Sequence, residues 1–468
     1  MTLPEKTIRD DSGAKAPAEP RRLPYLFVVL ECARPLAGGA RLRIEGVEEI
    51  VIGRAQTRGA AIESADGKKR LVLGVPDARM STRHASLART AEGWVLADSG
   101  STNGTFVAGE RVDRAVLADG ATFDCGGTVF LFRTALPADA GPHLFVDQGS
   151  LPHRALGLAS LMPSAAAPTS ALAKIAVSDA PVLLLGESGT GKEVTARAVH
   201  ALSKRSGAFV PVNCGALPET LLESQLFGHV KGSFSGAQRD ELGLVRASDK
   251  GTLFLDEIGD MRAPSQVALL RLLQEREVTP VGATKPVAVD LRVVAATHRP
   301  VDALEAGGFR SDLYARVAGY THRLAPLRDR IADLGLLVSD LLAKLAPDKT
   351  FTVGLDLARA MVAYDWPLNV RELEQALRVV SLLAQEGVLG LAEAPEPIRE
   401  AARRGEEPSA PEPEATPSDD ARIRDKLVAA LQAHGGNVSR VASDLGKTRM
   451  QIHRWMKRFG IDPETYRR

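Results

Sequence analysis

Between Leu23 and Leu136 the hydrophobic positions fall in short runs, at 26–30, 50–52, 71–73, 94–96 and 129–132, separated by glycine-bearing turns. Runs of this length and spacing predict an all-β sandwich. Beyond residue 170 the pattern changes. Apolar strands at 182–185, 253–255 and 291–296 alternate with amphipathic stretches as far as residue 395, the pattern of a parallel α/β sheet. In the last segment Ile423, Leu427 and Leu431 share one helical face, Gly435-Gly436 stops that helix, and Asn437 caps another. Gly446 turns the chain again before 448–458, so this end reads as an all-α helix-turn-helix.

The stretches between these patterns set the expected boundaries. Residues 1–22, rich in Pro, Ala and charge, read as a disordered tail, 137–154 as a linker, and 396–420, within a stretch that carries six prolines among acidic residues from Pro395 to Pro417, as a second linker. That leaves domains at 23–136, 155–395 and 421–468. Three domains suit a chain of 468 residues.

Charge changes the picture only locally. The total is +1, which argues against a uniformly basic coat, but residues 421–468 hold 11 Lys and Arg against 4 Asp and Glu, a local excess of +7. Cys32, Cys125 and Cys214 lie far apart without a CxxC pair, which supports neither a disulfide framework nor a cysteine zinc site and fits a reducing cytoplasm. No apolar run approaches the roughly 18 residues of a membrane span, so neither export nor insertion is expected.

The chemistry begins after the strand at 182–185. Gly186-Glu187-Ser188-Gly189-Thr190-Gly191-Lys192-Glu193 has the GxxxxGK spacing in which backbone N–H groups and a Lys ammonium cradle nucleotide phosphates at a helix N-terminus. A glycine-rich turn without ligand is the alternative. It is weakened by Asp256 and Glu257, which close a second apolar strand. Asp256 suits a Mg²⁺ ligand and Glu257 suits orientation of the attacking water, because phosphoryl transfer needs positioning and charge neutralisation. Glu193 stands where a generic phosphate loop places Ser or Thr.

The octapeptide, followed by Asn213-Cys214, Leu226-Phe227-Gly228-His229, Gly232-Ser233-Phe234-Ser235-Gly236-Ala237, Asp256-Glu257 and Trp366-Pro367 with Asn369-Val370-Arg371-Glu372-Leu373, closely resembles the AAA+ domain of bacterial sigma-54-dependent transcription activators, over 155–395. The resemblance implies an α/β P-loop ATPase with an α-helical lid, using ATP and Mg²⁺ and forming a ring, usually hexameric, that remodels sigma-54 RNA polymerase. It makes Asn213 the partner that restrains Glu257 and Arg371 a sensor arginine near the phosphates. In Phe309-Arg310-Ser311-Asp312-Leu313-Tyr314-Ala315-Arg316 it makes Arg310 and Arg316 arginine fingers acting in trans. The segment Gly232 to Ala237 corresponds to the family's sigma-54 contact loop, with Phe234 at its tip. Ser233, Ser235 and Val230 depart from the usual loop, and His298 stands after Thr297 where the sensor pair normally ends in Asn, which puts coupling rather than hydrolysis in doubt.

Two further resemblances flank this one. Ile52-Gly53-Arg54, Ser81-Thr82-Arg83-His84 and the run 98–106 resemble the forkhead-associated (FHA) domain over 23–136, which implies phosphothreonine binding by Arg54, Ser81, Thr82, Thr102 and Asn103. His84 and Gly104 read as structural, and the 26 residues between Arg54 and Ser81 suggest an insertion around 59–70. The basic end resembles the Fis-type DNA-binding domain, which makes Arg449, Gln451, His453, Arg454 and Lys457 candidates for contacts to double-stranded upstream DNA. Together these imply a cytoplasmic enhancer-binding activator controlled by a phosphothreonine protein, a Ser/Thr kinase or its substrate. A phosphopeptide- and DNA-binding regulator whose ring acts on another target, or does not engage sigma-54, is the alternative.

Overall fold

The computed structural model describes residues 21–65, 68–138, 141, 143–216, 219–234, 237–406, 417–445 and, near the C-terminus, 452, 455, 456, 459, 461 and 463–466. The chain forms two compact units, 1–406 and 407–468. Of the expected tail at 1–22, only Arg21 and Arg22 are described, and Arg22 opens the first strand.

The first unit begins with two facing sheets. One has seven strands in the order Phe145–Asp147, Ala40–Arg43, Arg22–Glu31, Thr128–Pro137, Thr122–Cys125, Thr105–Val107 and Glu110–Val112. The other has six, Arg114–Leu117, Gly93–Asp98, Ala85–Thr90, Glu49–Arg54, Lys68–Val75 and Gly59–Ala65. Alternate residues such as Leu26, Ile50, Leu73, Leu87, Phe123 and Phe130 turn inward and fill the sandwich. The long interval between Arg54 and Ser81 is a hairpin, Gly59–Ala65 with Lys68–Val75, whose second strand runs parallel to Glu49–Arg54.

Two stretches expected to be linkers are partly ordered structure. Phe145–Asp147 pairs with Ala40–Arg43 and extends the seven-stranded sheet. Its Phe and Val were hidden among Pro, Gly and Ala. The helix Glu396–Glu406 buries Ile398, four positions after the buried Ala394, in the lid core, a helical spacing masked by the neighbouring prolines.

The core of the expected ATPase domain is a five-stranded, all-parallel sheet in the order Phe209–Asn213, Thr252–Asp256, Arg292–Thr297, Val182–Leu185 and Tyr320–Arg323. Hydrophobic cores cover both faces, as parallel sheets require, with Leu183, Leu253 and Ala295 on one side and Leu184, Phe254 and Val294 on the other. All five strands end at the same edge, which is where open α/β sheets bind ligands. The lid follows, built on helices Leu334–Leu345, Leu355–Ala363, Asn369–Leu383 and Glu396–Glu406.

Lid and sandwich are not separate bodies. The strand Arg22–Glu31 is buried on both faces: Leu26 and Val28 point into the sandwich, while Tyr25, Phe27 and Val29 join a second core with Leu334, Val338, Leu342, Leu357, Met361 and Trp366 of the lid. The approach is close. A Cβ on Gly335 would lie 1.9 Å from the Val29 carbonyl oxygen. Val353 N–H donates to the Cys32 carbonyl at 2.8 Å, and Ser339 Oγ to the Leu36 carbonyl at 2.9 Å.

The second unit contains the helices Pro417–Ala433 and Val438–Asp444. Gly435 and Gly436 both have positive φ, and Asn437 Oδ1 accepts the Arg440 N–H at 3.2 Å, which is the expected stop and cap. Leu427, Leu431, Val441, Ile452 and Met456 form its core.

Candidate nucleotide, peptide and contact-loop sites

The phosphate loop leaves the strand Val182–Leu185 and enters the helix Lys192–Ser203. Gly189 and Gly191 have φ of 77° and 102°, conformations open to glycine, and a Cβ on Gly189 would meet the Leu368 carbonyl oxygen at 2.1 Å. Thr190 Oγ1 donates to the Glu187 carbonyl at 2.8 Å, which folds the loop. The buried Lys192 ammonium donates to the Gly186 and Glu187 carbonyls at 2.9 and 3.2 Å and lies 3.8 Å from Glu257 Oε1. Glu193 faces outward and pairs with Arg197.

Asn213, Asp256 and Thr297 reach this edge because their parallel strands end there, Asn213 opposite Asp256 and Leu185 opposite Thr297. Burial, and next the Glu257 charge, push the Asp256 carboxyl above the usual range, against the opposing pull of Lys192. Glu257 sits in a left-handed backbone conformation, φ 52°. Its Oε2 lies 2.6 Å from His298 Nδ1 and 3.4 Å from the His298 backbone nitrogen. Asn213, the expected restraint on Glu257, has its Oδ1 occupied by the N–H groups of Gly215 and Ala216 at 2.9 and 3.0 Å. In this structure the contact expected from Asn213 comes instead from His298.

The lid grips the loop from above. Arg371 Nη1 donates to Ser188 Oγ at 3.2 Å, which places the expected sensor arginine at the phosphate loop. Three further residues that the sequence reading gave no role here act alongside it. Arg328 makes a two-point ion pair with Glu187, Asn369 Nδ2 donates to the Ser188 carbonyl at 2.9 Å, and the half-buried Arg330 donates to the Thr190 carbonyl at 2.9 Å. The Pro326-Leu327-Arg328-Asp329-Arg330 run after the last sheet strand was the available signal. Arg310 and Arg316 lie elsewhere, at the start and end of the segment that forms helix Ser311–Val317; both are exposed, and Arg310 pairs with Asp312 at 2.7 Å.

The contact-loop segment closes on itself through Gly232 N–H to the Ala237 carbonyl at 2.9 Å and Ala237 N–H to the Phe234 carbonyl at 3.1 Å. Its neck is the bridge between His229 and Glu241. Phe234 is 39% exposed, with its ring edge on His229 at 5.0 Å between centroids, so it is not a core residue. Ser233 packs beside Gly282, while Ser235 and Gly236 lie outside the described residues.

In the sandwich, three loops converge at one end. Arg54 N–H donates to the Ser81 carbonyl at 2.9 Å, and Ser81 Oγ accepts the Thr102 N–H at 3.2 Å. Asn103 Nδ2 donates to the Arg79 carbonyl at 2.6 Å. Thr82 lays its carbonyl over Gly53, where a Cβ would come within 1.9 Å, so only glycine fits. The buried His84 ties the loops together: Nδ1 accepts the Ser81 N–H at 3.0 Å, which leaves Nε2–H to donate to the Gly104 carbonyl at 3.0 Å. Asp98 holds the next loop through Gly100, Ser101 and Thr105; burial raises its carboxyl, and these hydrogen bonds outweigh that and bring it below its ordinary range. Arg54, Thr102 and Asn103 remain exposed at the rim.

Arg449, Gln451, His453, Arg454 and Lys457, the expected DNA contacts, lie outside the described residues.

Comparisons with known proteins match successive parts of the chain to known domains. Residues 160–322 match the sigma-54 interaction domain, 50–126 the FHA domain, 328–411 the AAA+ ATPase lid domain and 424–459 the Fis family of bacterial regulatory proteins. The hydrogenase transcriptional regulatory protein HoxA of Cupriavidus necator is 41% identical over 304 residues, 62% of each chain. Regulatory protein AtoC of Escherichia coli is 40% identical over 300 residues, 62% of this chain and 65% of that one. Transcriptional regulatory protein ZraR of Salmonella typhimurium is 44% identical over 291 residues, 60% of this chain and 64% of that one. The chain thus spans less than two thirds of the length of each of these three relatives. Among the described residues no helix is long and apolar enough to cross a membrane. With a nucleotide-binding P-loop AAA+ ATPase domain and its lid following an FHA sandwich and preceding a Fis-type helix-turn-helix in the sequence, the chain carries the domains of sigma-54-dependent transcriptional regulators.

Proposed function

We propose that this protein binds upstream DNA through its basic C-terminal unit and uses ATP hydrolysis to remodel sigma-54 RNA polymerase to the open complex, under the control of a phosphothreonine protein. The observation that supports this best is that one domain joins Lys192, Asp256 and Glu257 at a single sheet edge to a loop with a half-exposed Phe234. ATP phosphates would rest on the backbone N–H groups of 186–192 and on the Lys192 ammonium, at the N-terminus of a helix. Asp256 would hold Mg²⁺, and its donor chemistry fits: a carboxyl raised by burial and by Glu257 is one that a nearby divalent cation would keep ionised. The ion, when bound, supplies charge neutralisation at the phosphates.

Glu257 orients the attacking water, and His298 fixes the carboxylate oxygen that would otherwise swing free. Arg371 senses the nucleotide from the lid. Arg310 and Arg316, on an exposed face, complete a neighbouring subunit's site in a homo-oligomeric ring of the hexameric kind. Gly232 to Ala237 forms the sigma-54 contact. In the sandwich, Arg54 offers a charged fork to phosphate, Ser81, Thr82 and Thr102 offer hydroxyl groups, and Asn103 binds peptide backbone. The phosphoprotein is a Ser/Thr kinase or its substrate, and the site of action is the cytoplasm.

The test is to incubate the full chain with purified sigma-54, ADP and aluminium fluoride, with Phe234→Ala alongside. A trapped complex that the variant fails to form supports the proposal. Active hydrolysis with no trapped complex would sink the sigma-54 step and point to a ring acting on another target.

A further inference from the structure

The contacts that fasten the lid to the sandwich lie directly behind the peptide-binding loops. Arg359, on the lid helix Leu355–Ala363, makes a two-point ion pair with Asp124, at 2.8 and 2.7 Å, and its guanidinium stands 4.9 Å from the centroid of the Phe106 ring. Asp124 is 2% exposed and lies opposite Phe106 in the sheet. Phe106 in turn closes the loop that begins with Thr102 and Asn103. Arg359 itself is half-buried, but its removal is costly because it strands the buried Asp124 carboxylate.

A second connection runs in parallel. Asp77 accepts the N–H groups of Arg79 and Gly127, at 2.9 and 2.7 Å, and the Thr128 hydroxyl at 2.8 Å. The Gly127 carbonyl accepts the Cys32 N–H at 2.9 Å, and the Cys32 carbonyl accepts the Val353 N–H of the lid at 2.8 Å. Arg79 is also where Asn103 donates its side-chain amide.

The far end of the same helix leads to the nucleotide site. Trp366, fully buried, donates its indole N–H to the Met361 carbonyl at 2.9 Å and so ties the following turn to the helix. That turn carries Asn369 and Arg371, which hold Ser188, while Val370 N–H donates to the Gly189 carbonyl at 3.0 Å.

We propose that peptide occupancy of the FHA loops and nucleotide occupancy of the phosphate loop are energetically coupled through the helix Leu355–Ala363, with Arg359 as the contact that carries the coupling. This rests on the phosphothreonine reading of Arg54, Ser81, Thr102 and Asn103, and adds to it a route and a reciprocal consequence. If peptide changes the affinity for nucleotide, nucleotide changes the affinity for peptide by the same factor.

The experiment uses the full chain and a degenerate pool of fluorescein-labelled phosphothreonine peptides, followed by anisotropy with and without saturating ADP. The pool binds wild type and fails to bind Arg54→Ala. ADP shifts the apparent Kd of wild type by about fivefold or more. Arg359→Ala still binds the pool but loses the ADP effect. A wild-type affinity indifferent to ADP overturns the coupling and leaves peptide binding standing; a pool that does not bind at all overturns the phosphothreonine reading and the coupling with it. Should Arg359→Ala fold poorly, hydrogen exchange of wild type decides: the pool changes amide protection across 355–371, and unchanged protection there refutes the proposal.

Discussion

Gly335→Ala is a substitution whose sign depends on whether the sandwich lies against the lid. Gly335 is in the first turn of the helix Leu334–Leu345, and on helix propensity alone Ala in its place stabilises by up to about 1 kcal/mol. Against the strand Arg22–Glu31 the effect reverses. The new Cβ would lie 1.9 Å from the Val29 carbonyl oxygen, where real Cβ contacts are essentially never under 3.0 Å. Helix and strand must separate by about 1 Å, across a core that contains Val29, Leu334 and Val338. Overpacking of this kind costs about 1–3 kcal/mol, which after the helical gain leaves a net loss of up to about 2 kcal/mol. At about 2–4 °C per kcal/mol, Tm falls, by up to several degrees. Urea denaturation followed by tryptophan fluorescence reads it directly, because Trp366 sits in the shared core. A Gly335→Ala chain that proves more stable than wild type would refute the docked arrangement.

The remaining predictions concern the two sites and the buried titrating groups. Glu257→Gln should keep ADP and ATP affinity and lower turnover by about 100-fold or more, so unchanged turnover in a coupled ATPase assay would remove Glu257 from its role. Gly53→Ala pushes the Thr82 carbonyl from 1.9 Å and displaces Ser81 from Arg54; phosphothreonine pool binding should vanish while ADP binding persists, and an undiminished pool signal would contradict the loop geometry. Burial pushes the Cys32 and Cys214 thiols up to about 12, so iodoacetamide at about pH 8 should label them only after denaturation, as read by intact mass. Burial, with Arg197 and Arg205 for His200, holds His200 and His322 below their ordinary imidazole range. The unfolded chain therefore binds protons first: their contribution to stability is complete above about pH 6.5 and is lost as pH falls toward the folded values. His200→Gln should flatten the fall in urea midpoint between about pH 7 and about pH 5, and an unchanged slope would exclude His200 as a contributor.

The phosphate loop was legible because its chemistry demands a continuous motif: Gly186 to Lys192 must be neighbours for their N–H groups to converge. Arg54, Ser81 and His84 were legible for the same reason, each sitting in a short local pattern. The hold on Glu257 was not, because which side chain reaches it is decided across the ends of parallel strands, where Asn213 turns back to cap its own loop and His298 points in. The grip of Arg328 and Arg330 on the loop likewise depends on where the lid comes to rest. The run Leu26 to Leu30 is continuous rather than alternating, the mark of a strand covered on both faces, yet nothing in it names the lid as the cover. At 145–147 and 396–406, composition outweighed the few apolar positions that matter.

The doubly covered strand also determines what a truncation would mean. Removing the N-terminal sandwich is the ordinary way to ask whether such a module restrains or assists an ATPase. Here the cut would strip Tyr25, Phe27 and Val29 from Leu334, Val338 and Leu357, turning a dry lid surface into an exposed apolar patch. The shortened chain would invite aggregation, and any change in its activity would report the stripped lid as much as a lost signal. Point substitutions at the Arg54 rim, which leave the shared core intact, ask the regulatory question without asking the lid to fold alone.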